Sequence, residues 1–429
     1  MTASQIRERI KASNLARDAG WMMLGQGAGF VLQAVYFVVV ARLLGVIEYG
    51  IFVGAFAFVN LAGRYATLGT GPVFLRYVSV DKSRFAEYWG NMLVLSAIGG
   101  TVLIGVLHFA GTRFLNPFSA ALVLMAALAN CFGMQVMMCT AQIFQAVGRM
   151  RNTALLNLLT SLLRTVTAAT MWLTMHHATA RQWTIASTLV SFIGAGMGLG
   201  AVLFQFHAPV FSLKLLRRRL VEGFEFAFAS STTSAYNDLD KAMLSHFGLN
   251  AANGIYTLAY RAVDIATMPI VSLRDAAMPH IFRKGAASLV EAAHYTGRLW
   301  KRSFPIALAT AASMFLLAPL VRIIAGNGFA EVVSAVRWLS PIPIFRSVHE
   351  IAGSTLTGAG LQRYRTGTQI VAVAVNVGLN LWLIPAHGWR GSAWASLATD
   401  GLLGAMNWSM LRLLVFRAQE ETISSTLSV

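Results

Sequence analysis

Long apolar runs follow one another along most of this chain, separated by short stretches where charge, glycine and proline collect. Each run is near the about 20 residues that cross a hydrocarbon core as a helix. The pattern predicts twelve spans, over 20–42, 49–75, 87–110, 117–146, 153–175, 182–206, 222–247, 254–281, 300–324, 330–358, 366–385 and 391–414. The roughly ten-residue alternating segments of a membrane barrel are not visible.

The pattern also repeats. Gly45 and Gly248 are 203 residues apart, Gly50 and Gly254 are 204, and QAVGRMRNT around Gly148 echoes TGAGLQRYRTGT around Gly360 at an offset of 212. Trp183 with Ser187 and Trp394 with Ser396 follow at about 211. Six spans separate each pair of markers, so the chain reads as two six-helix lobes, 1–206 and 222–429, joined by a basic linker, 207–221. Because each lobe begins and ends on the same side, the copies are parallel repeats around an axis along the membrane normal, an arrangement found in transporters with a central cavity. The expected fold class is all-α integral membrane.

Composition supports this reading. The chain is 56% hydrophobic and 12% charged, with mean hydropathy +0.61. An ordinary soluble domain carries about a quarter charged residues. The net charge of +17 would suit nucleic acid, but the cations sit in short segments between apolar runs rather than on one basic face, so no nucleic-acid partner is expected. Read as topology signals, about 22 of the 34 fall on one set of alternate connectors, among them Arg7, Arg9, Lys11, Arg17 and the run Arg217 to Arg219. The positive-inside rule makes that side cytoplasmic and puts both termini there. The N-terminal segment reads as an uncleaved start. Cys131 and Cys139 lie in one predicted helix, about 12 Å apart along its axis and too far to bridge.

Six cations fall inside predicted spans: Arg64, Arg164, Lys241, Arg261, Arg274 and Arg346. Each costs roughly 2.5 to 3.5 kcal/mol on insertion, which marks ionisable groups at this depth as functional candidates. The acids at the same depth, Asp238, Asp240, Asp264, Asp275, Glu350 and Asp400, all belong to the second lobe. Spacing predicts neutralising pairs on one helix face for Asp238 with Lys241, Arg261 with Asp264, and Arg346 with Glu350. Arg64 and Arg164 have no acid within a turn. Guanidinium groups facing a wet cavity would take an anion, and their planar fork matches phosphate. The candidate substrate-binding cations are therefore Arg64, Arg164, Arg261, Lys241 and Arg346. Asp400, without a basic neighbour in its own helix, heads the ion-coupling candidates for H+ or Na+, followed by Asp238, Asp240, Asp264 and Glu350.

Other features are weaker. The pairs Gly25/Gly29, Gly194/Gly198 and Gly196/Gly200 would permit close helix approach. Pro269, Pro279, Pro341 and Pro343 would break or kink the eighth and tenth spans. His176, His177, His280, His294 and His349 show no metal-ligand spacing, and no phosphate loop, nucleophile elbow, CxxC or HExxH is present, so no metal, catalytic residue or enzymatic activity is expected.

With ARLLGVIEYGIF closing the first span, GPVFLRYVS closing the second, Asp238 and Asp240 in the seventh and GIYTLAYRAVD in the eighth, the chain resembles polysaccharide flippases of the Wzx type. These belong to the multidrug/oligosaccharidyl-lipid/polysaccharide exporter superfamily. The resemblance implies a secondary active flippase of the bacterial cytoplasmic membrane. Such a protein moves an undecaprenyl-pyrophosphate-linked oligosaccharide, an O-antigen, capsule or exopolysaccharide unit, from inner to outer leaflet by alternating access, with other polysaccharide-assembly membrane proteins as partners. It matches Arg64 and Arg261 to the family's cavity cations and Asp238 and Asp240 to its seventh-span acids. The alternatives are an ion-coupled multidrug exporter of the same superfamily and, from another class, a membrane glycan polymerase or ligase, against which the short outer loops argue.

Overall fold

A computed structural model describes residues 3–206 and 208–427, and side chains over 27–206 and 208–420 apart from 233 and 236. The side chains of Arg7, Arg9, Lys11 and Arg17, and the surroundings of Gly25, lie outside the described residues. What is described is helical, with no strand. Seven helical stretches among the described residues are long and apolar enough to cross a membrane: Gly27–Thr67, Lys82–Phe114, Val123–Ala146, Met150–Met175, Ala180–Gln205, Leu289–Ala325 and Gln362–His387. The predicted spans missing from that set, 222–247, 254–281, 330–358 and 391–414, carry the second-lobe charges. They are helical all the same.

The chain divides into two compact units, Met1–Asp238 and Leu239–Val429. The first contains α1 (Ala3–Gly63), α2 (Thr70–Val78), α3 (Phe85–Phe114), α4 (Pro117–Ala120), α5 (Val123–Leu128), a π-helical turn (Ala129–Met134), α6 (Gln135–Ala146), α7 (Met150–Met175) and α8 (Ala180–Gln205). The division falls inside α9 (Leu213–His246). The second unit continues with α10 (Asn250–Ala287), α11 (Leu289–Ala325), α12 (Val332–Leu339), α13 (Ile342–Gly358), α14 (Gln362–His387) and α15 (Trp389–Leu427).

The repeat glycines do the same work in both units. Gly45, Gly148, Gly248 and Gly360 all have left-handed backbone, with φ of 69°, 78°, 72° and 75°. Gly45 kinks α1 between the first two predicted spans, and Gly248 turns α9 into α10. Gly148 and Gly360 turn α6 into α7 and α13 into α14. At the last three the glycine amide donates three residues back, to Gln145, Ser245 and Thr357, and the next amide five back, to Phe144, Leu244 and Leu356, at 2.8–3.1 Å. This double bond pattern closes a helix on a residue at positive φ, where any Cβ would be strained.

Several predicted spans are interrupted. The second breaks after a 3-10 turn (Arg64–Thr67) at Leu68 and Gly69, both at positive φ. The fourth comprises α4, α5, the π turn and α6. The tenth splits at Ser340 and Pro341 into α12 and α13. The eighth does not: α10 runs on through Pro269 and Pro279.

Most of the basic linker is also ordered. Residues 213–221 form the first turns of α9. Just before them, Val210 N–H donates to Ala86 C=O at 2.9 Å, and the Asn91 amide bonds both the N–H and the C=O of Ser212 at 2.9 and 3.0 Å. Arg219 stacks 3.8 Å over the Tyr77 ring, and Glu222 accepts from both Tyr77 and Arg76. Gly69 and Gly223 allow the contact, since a Cβ on either would strike the other segment's backbone. Of the glycine pairs, Gly194 and Gly198 bring α8 against Thr160 and Thr140, whereas Gly29, Gly196 and Gly200 face open space.

The packed side chains of the first unit centre on Val73, Phe74, Phe85, Trp89, Ile143 and Phe144, and a smaller cluster in the second joins Ala277, Ile281, Leu299 and Ile351. Many large apolar groups point outward instead, Phe204, Trp382 and Leu316 at 93%, 75% and 71% exposure. Lipid satisfies such a surface without cost, which leaves small residues and polar contacts to specify how the helices associate.

Candidate functional site

In the first unit, a cavity of about 450 Å³ is lined by Asn60, Arg64, Asn130, Met134, Gln135, Met138, Ser230, Ser234, Asn237 and Asp238. Asn60 and Arg64, four residues apart, share one face where α1 tightens into the 3-10 turn. Asn130 and Gln135 are five apart, a spacing that places side chains well apart around an α-helix. The π turn widens the helix there, so that Gln135 N–H reaches the Asn130 carbonyl. The two amides then meet on one face, Gln135 Nε2 donating to Asn130 Oδ1 at 3.4 Å.

From Asn130 the chain of hydrogen bonds continues in one sense. Asn130 Nδ2 donates to Asn60 Oδ1 at 2.7 Å, and Asn60 Nδ2 to Asp238 Oδ2 at 3.4 Å. Gly63 makes room for it, because a Cβ there would overlap the Asn130 side-chain oxygen. π turns are frequent at functional sites. Here the turn converts two unrelated amides into part of one polar wall.

Arg64 stands in this wall with a weak partner. Its Nη1 lies 2.9 Å from the Met138 sulfur, and a thioether accepts poorly. Among the described residues no carboxylate forms an ion pair with it. Its remaining donors are available to a ligand in the cavity. Arg164 is placed elsewhere: it is on α7, donates to Ser191 on α8 at 3.2 Å and does not line the cavity. The two arginines without an in-helix acid therefore do not form one site.

The second unit distributes its ions differently. Arg261 pairs with Asp264 at 2.9 Å, as its spacing predicts. Arg346 does not pair with Glu350 along its own helix. It reaches α10, donating to the Tyr260 hydroxyl at 3.0 Å and approaching Thr267 at 3.5 Å and Asp264 at 3.8 Å. Glu350 instead takes Arg274 from α10 and, at 3.8 Å, Arg365 from α14, while Arg274 also holds Asp275 at 2.7 Å. Arg346 and Glu350 each find their partners on the helices packed against α13. Lys241 sits 4.9 Å over the Tyr260 ring. Asp240, 3% exposed, accepts from the Tyr256 hydroxyl, which is 2.9 Å from Ser396.

Asp400 has a neighbour that spacing along its own helix does not predict. It is 1% exposed and has a basic neighbour from another helix, His349 on α13, at 3.6 Å. Sequence reasoning passed over His349 because it sought metal spacings; it also passed over Asn60, Asn130 and Gln135, whose signal was an amide within an apolar run. Among the described residues no group of three or more His, Cys, Asp or Glu could hold a metal ion.

Solved structures that share this fold are described as membrane transporters. One is an inward-facing multidrug-resistance MATE transporter of the MOP superfamily, with a TM-score of 0.71 at 15% identity over 91% of this chain and 96% of that one. An outward-facing MATE transporter matches at 0.63, 16% identical over 95% and 96%. A MOP-superfamily transporter from Pyrococcus furiosus, described by the reverse polarity of its binding pocket, matches at 0.62, 16% identical over 94% and 95%. No protein of curated function matches the sequence. The chain belongs to the polysaccharide biosynthesis protein family, whose model matches residues 15–284.

Proposed function

We propose that this protein is a secondary active flippase for a prenyl-pyrophosphate-linked oligosaccharide, working in the bacterial cytoplasmic membrane by alternating access. The observation that carries the reading is Arg64, a cation facing a polar cavity with a thioether as its hydrogen-bond partner. A guanidinium so placed offers its fork to a pyrophosphate. The amides of Asn60, Asn130 and Gln135 beside it suit sugar hydroxyls, which both donate and accept. The family's tie to polysaccharide biosynthesis supplies the substrate class, and the count of connector cations supports cytoplasmic termini. Other membrane proteins of glycan assembly are the natural partners. Arg164, outside the cavity, is no longer assigned to the phosphate.

The test is to reverse the charge with Arg64→Glu and measure surface glycan in a deletion strain at matched protein abundance. A charge-assisted hydrogen bond contributes about 1.5–3 kcal/mol, so flipping should fall roughly tenfold or more. Surface glycan at the wild-type level would remove Arg64 from the pyrophosphate.

One observation favours a second reading. Asp238 lines the same cavity, and a carboxylate there would suit a cationic drug. In that case the deletion strain would become sensitive to cationic dyes while its surface glycan stayed intact.

A further inference from the structure

Beside the ion network of the second unit lies a pair that the proposed substrate site does not use. Asp400 on α15 and His349 on α13 are 1% and 6% exposed. Asp400 Oδ1 stands 3.6 Å from His349 Nε2, and Asp400 Oδ2 has no hydrogen-bond partner among the described residues. The placement is held from both sides of the contact. Asn407 Nδ2 donates to the His349 carbonyl at 3.1 Å and Trp408 Nε1 to the Val348 carbonyl at 3.0 Å, so α15 and α13 are locked in register next to the pair.

We propose that His349 and Asp400 together bind the proton that drives this transporter, a reading that rests on its being secondary active. A carboxylate with one oxygen unbonded in so dry a place is costly to keep charged. A single proton carried by either the carboxylate or Nε2 leaves the pair neutral overall. Losing that proton turns the pair into an anion, beside a network that carries both signs of charge. Arg346 and Glu350 flank His349 on α13, Arg274 faces it from α10 and Arg365 from α14. α11 meets α13 with the uncharged Thr296, 2.5 Å from Thr355.

Arg274, Arg346 and Arg365 are answered by Glu350, Asp275 and Asp264, so the charges around the pair nearly cancel and leave the proton to the pair's own two groups. The pair thus has two states that differ by one proton. Glu350, next in sequence to His349, continues through Arg274 to Asp275, which is 60% exposed. Sodium fits less well, since a hard cation seeks several oxygens and the group facing Asp400 is a ring nitrogen.

The experiment is difference infrared spectroscopy of the full-length protein reconstituted in lipid without glycolipid, followed over pH. Wild type should show a carboxylic-acid carbonyl band that titrates, disappears in Asp400→Asn, shifts its midpoint in His349→Gln, and is indifferent to exchanging potassium for sodium at fixed pH. A wild type without the band, a band that persists in Asp400→Asn, or a midpoint untouched by His349→Gln would overturn the proposal. So would a band suppressed by sodium, which would assign the carboxylate to that ion. If Asp400→Asn does not fold, the wild-type and His349→Gln arms decide alone. Glycolipid flipping is measured separately, so a titrating pair in a protein that moves no glycolipid would sink the flippase reading and keep the proton site.

Discussion

The two units handle cations inside the membrane in opposite ways. In the second, Arg261, Arg274, Arg346 and Arg365 each meet a carboxylate contributed by their own or a neighbouring helix. In the first, Arg64 has a methionine sulfur and Arg164 a serine hydroxyl. Neutralised charges tie helices together, and removing one partner strands the other in a low-dielectric interior. An arginine without a carboxylate keeps its capacity for a ligand. The same residue type therefore serves cohesion in one unit and, under the proposed function, recognition in the other.

The largest effect should come from breaking the second unit's network. Glu350→Ala leaves Arg274 and Arg365 without their shared acid, and about 3–5 kcal/mol of stability should go with it, read as a fall in thermal stability of the purified protein. Arg64→Ala sharpens the contrast from the other side. It should leave thermal stability within about 0.5 kcal/mol, as for a residue outside any tight network, while lowering glycolipid binding roughly tenfold or more. If Arg64→Ala unfolded the protein as Glu350→Ala does, the distinction between the units would collapse.

Gly63→Val sits between these cases. Its side chain would displace Asn130 from the amide wall, so transport should fall more than stability does, a difference that parallel flipping and melting measurements would show. The smallest effects should be equal in the two units. Gly148→Ala and Gly360→Ala each place a Cβ at positive φ and should cost about 1–2 kcal/mol apiece. Unequal losses on thermal melting would mean that the two turns are not equivalent.

The membrane class, the helical fold and the paired glycine turns were legible in the sequence because each depends on local chemistry. An apolar run of spanning length has few alternatives in lipid, and glycines repeated where one span gives way to the next mark the left-handed turns at Gly45, Gly148, Gly248 and Gly360. Helix interruptions were less legible. Pro269 and Pro279 lie within an unbroken α10, while Leu68, with no special composition, ends a 3-10 turn at positive φ. Charge partners were legible only when they shared a helix, as Arg261 and Asp264 do.

What the sequence by itself determined is where charge and amide side chains enter apolar sequence, and that each must have a reason to be there, because lipid offers no hydrogen bonds. Which reason applies was decided by tertiary structure. Packing α10, α13 and α14 together gave Glu350 to Arg274 and Arg365 rather than to Arg346. A single π turn aligned Gln135 with Asn130, and the register of α13 against α15 set His349 beside Asp400. Spacing along one helix fixes neighbours within about a turn; the partners of Glu350, Arg346 and Asp400 come from other helices.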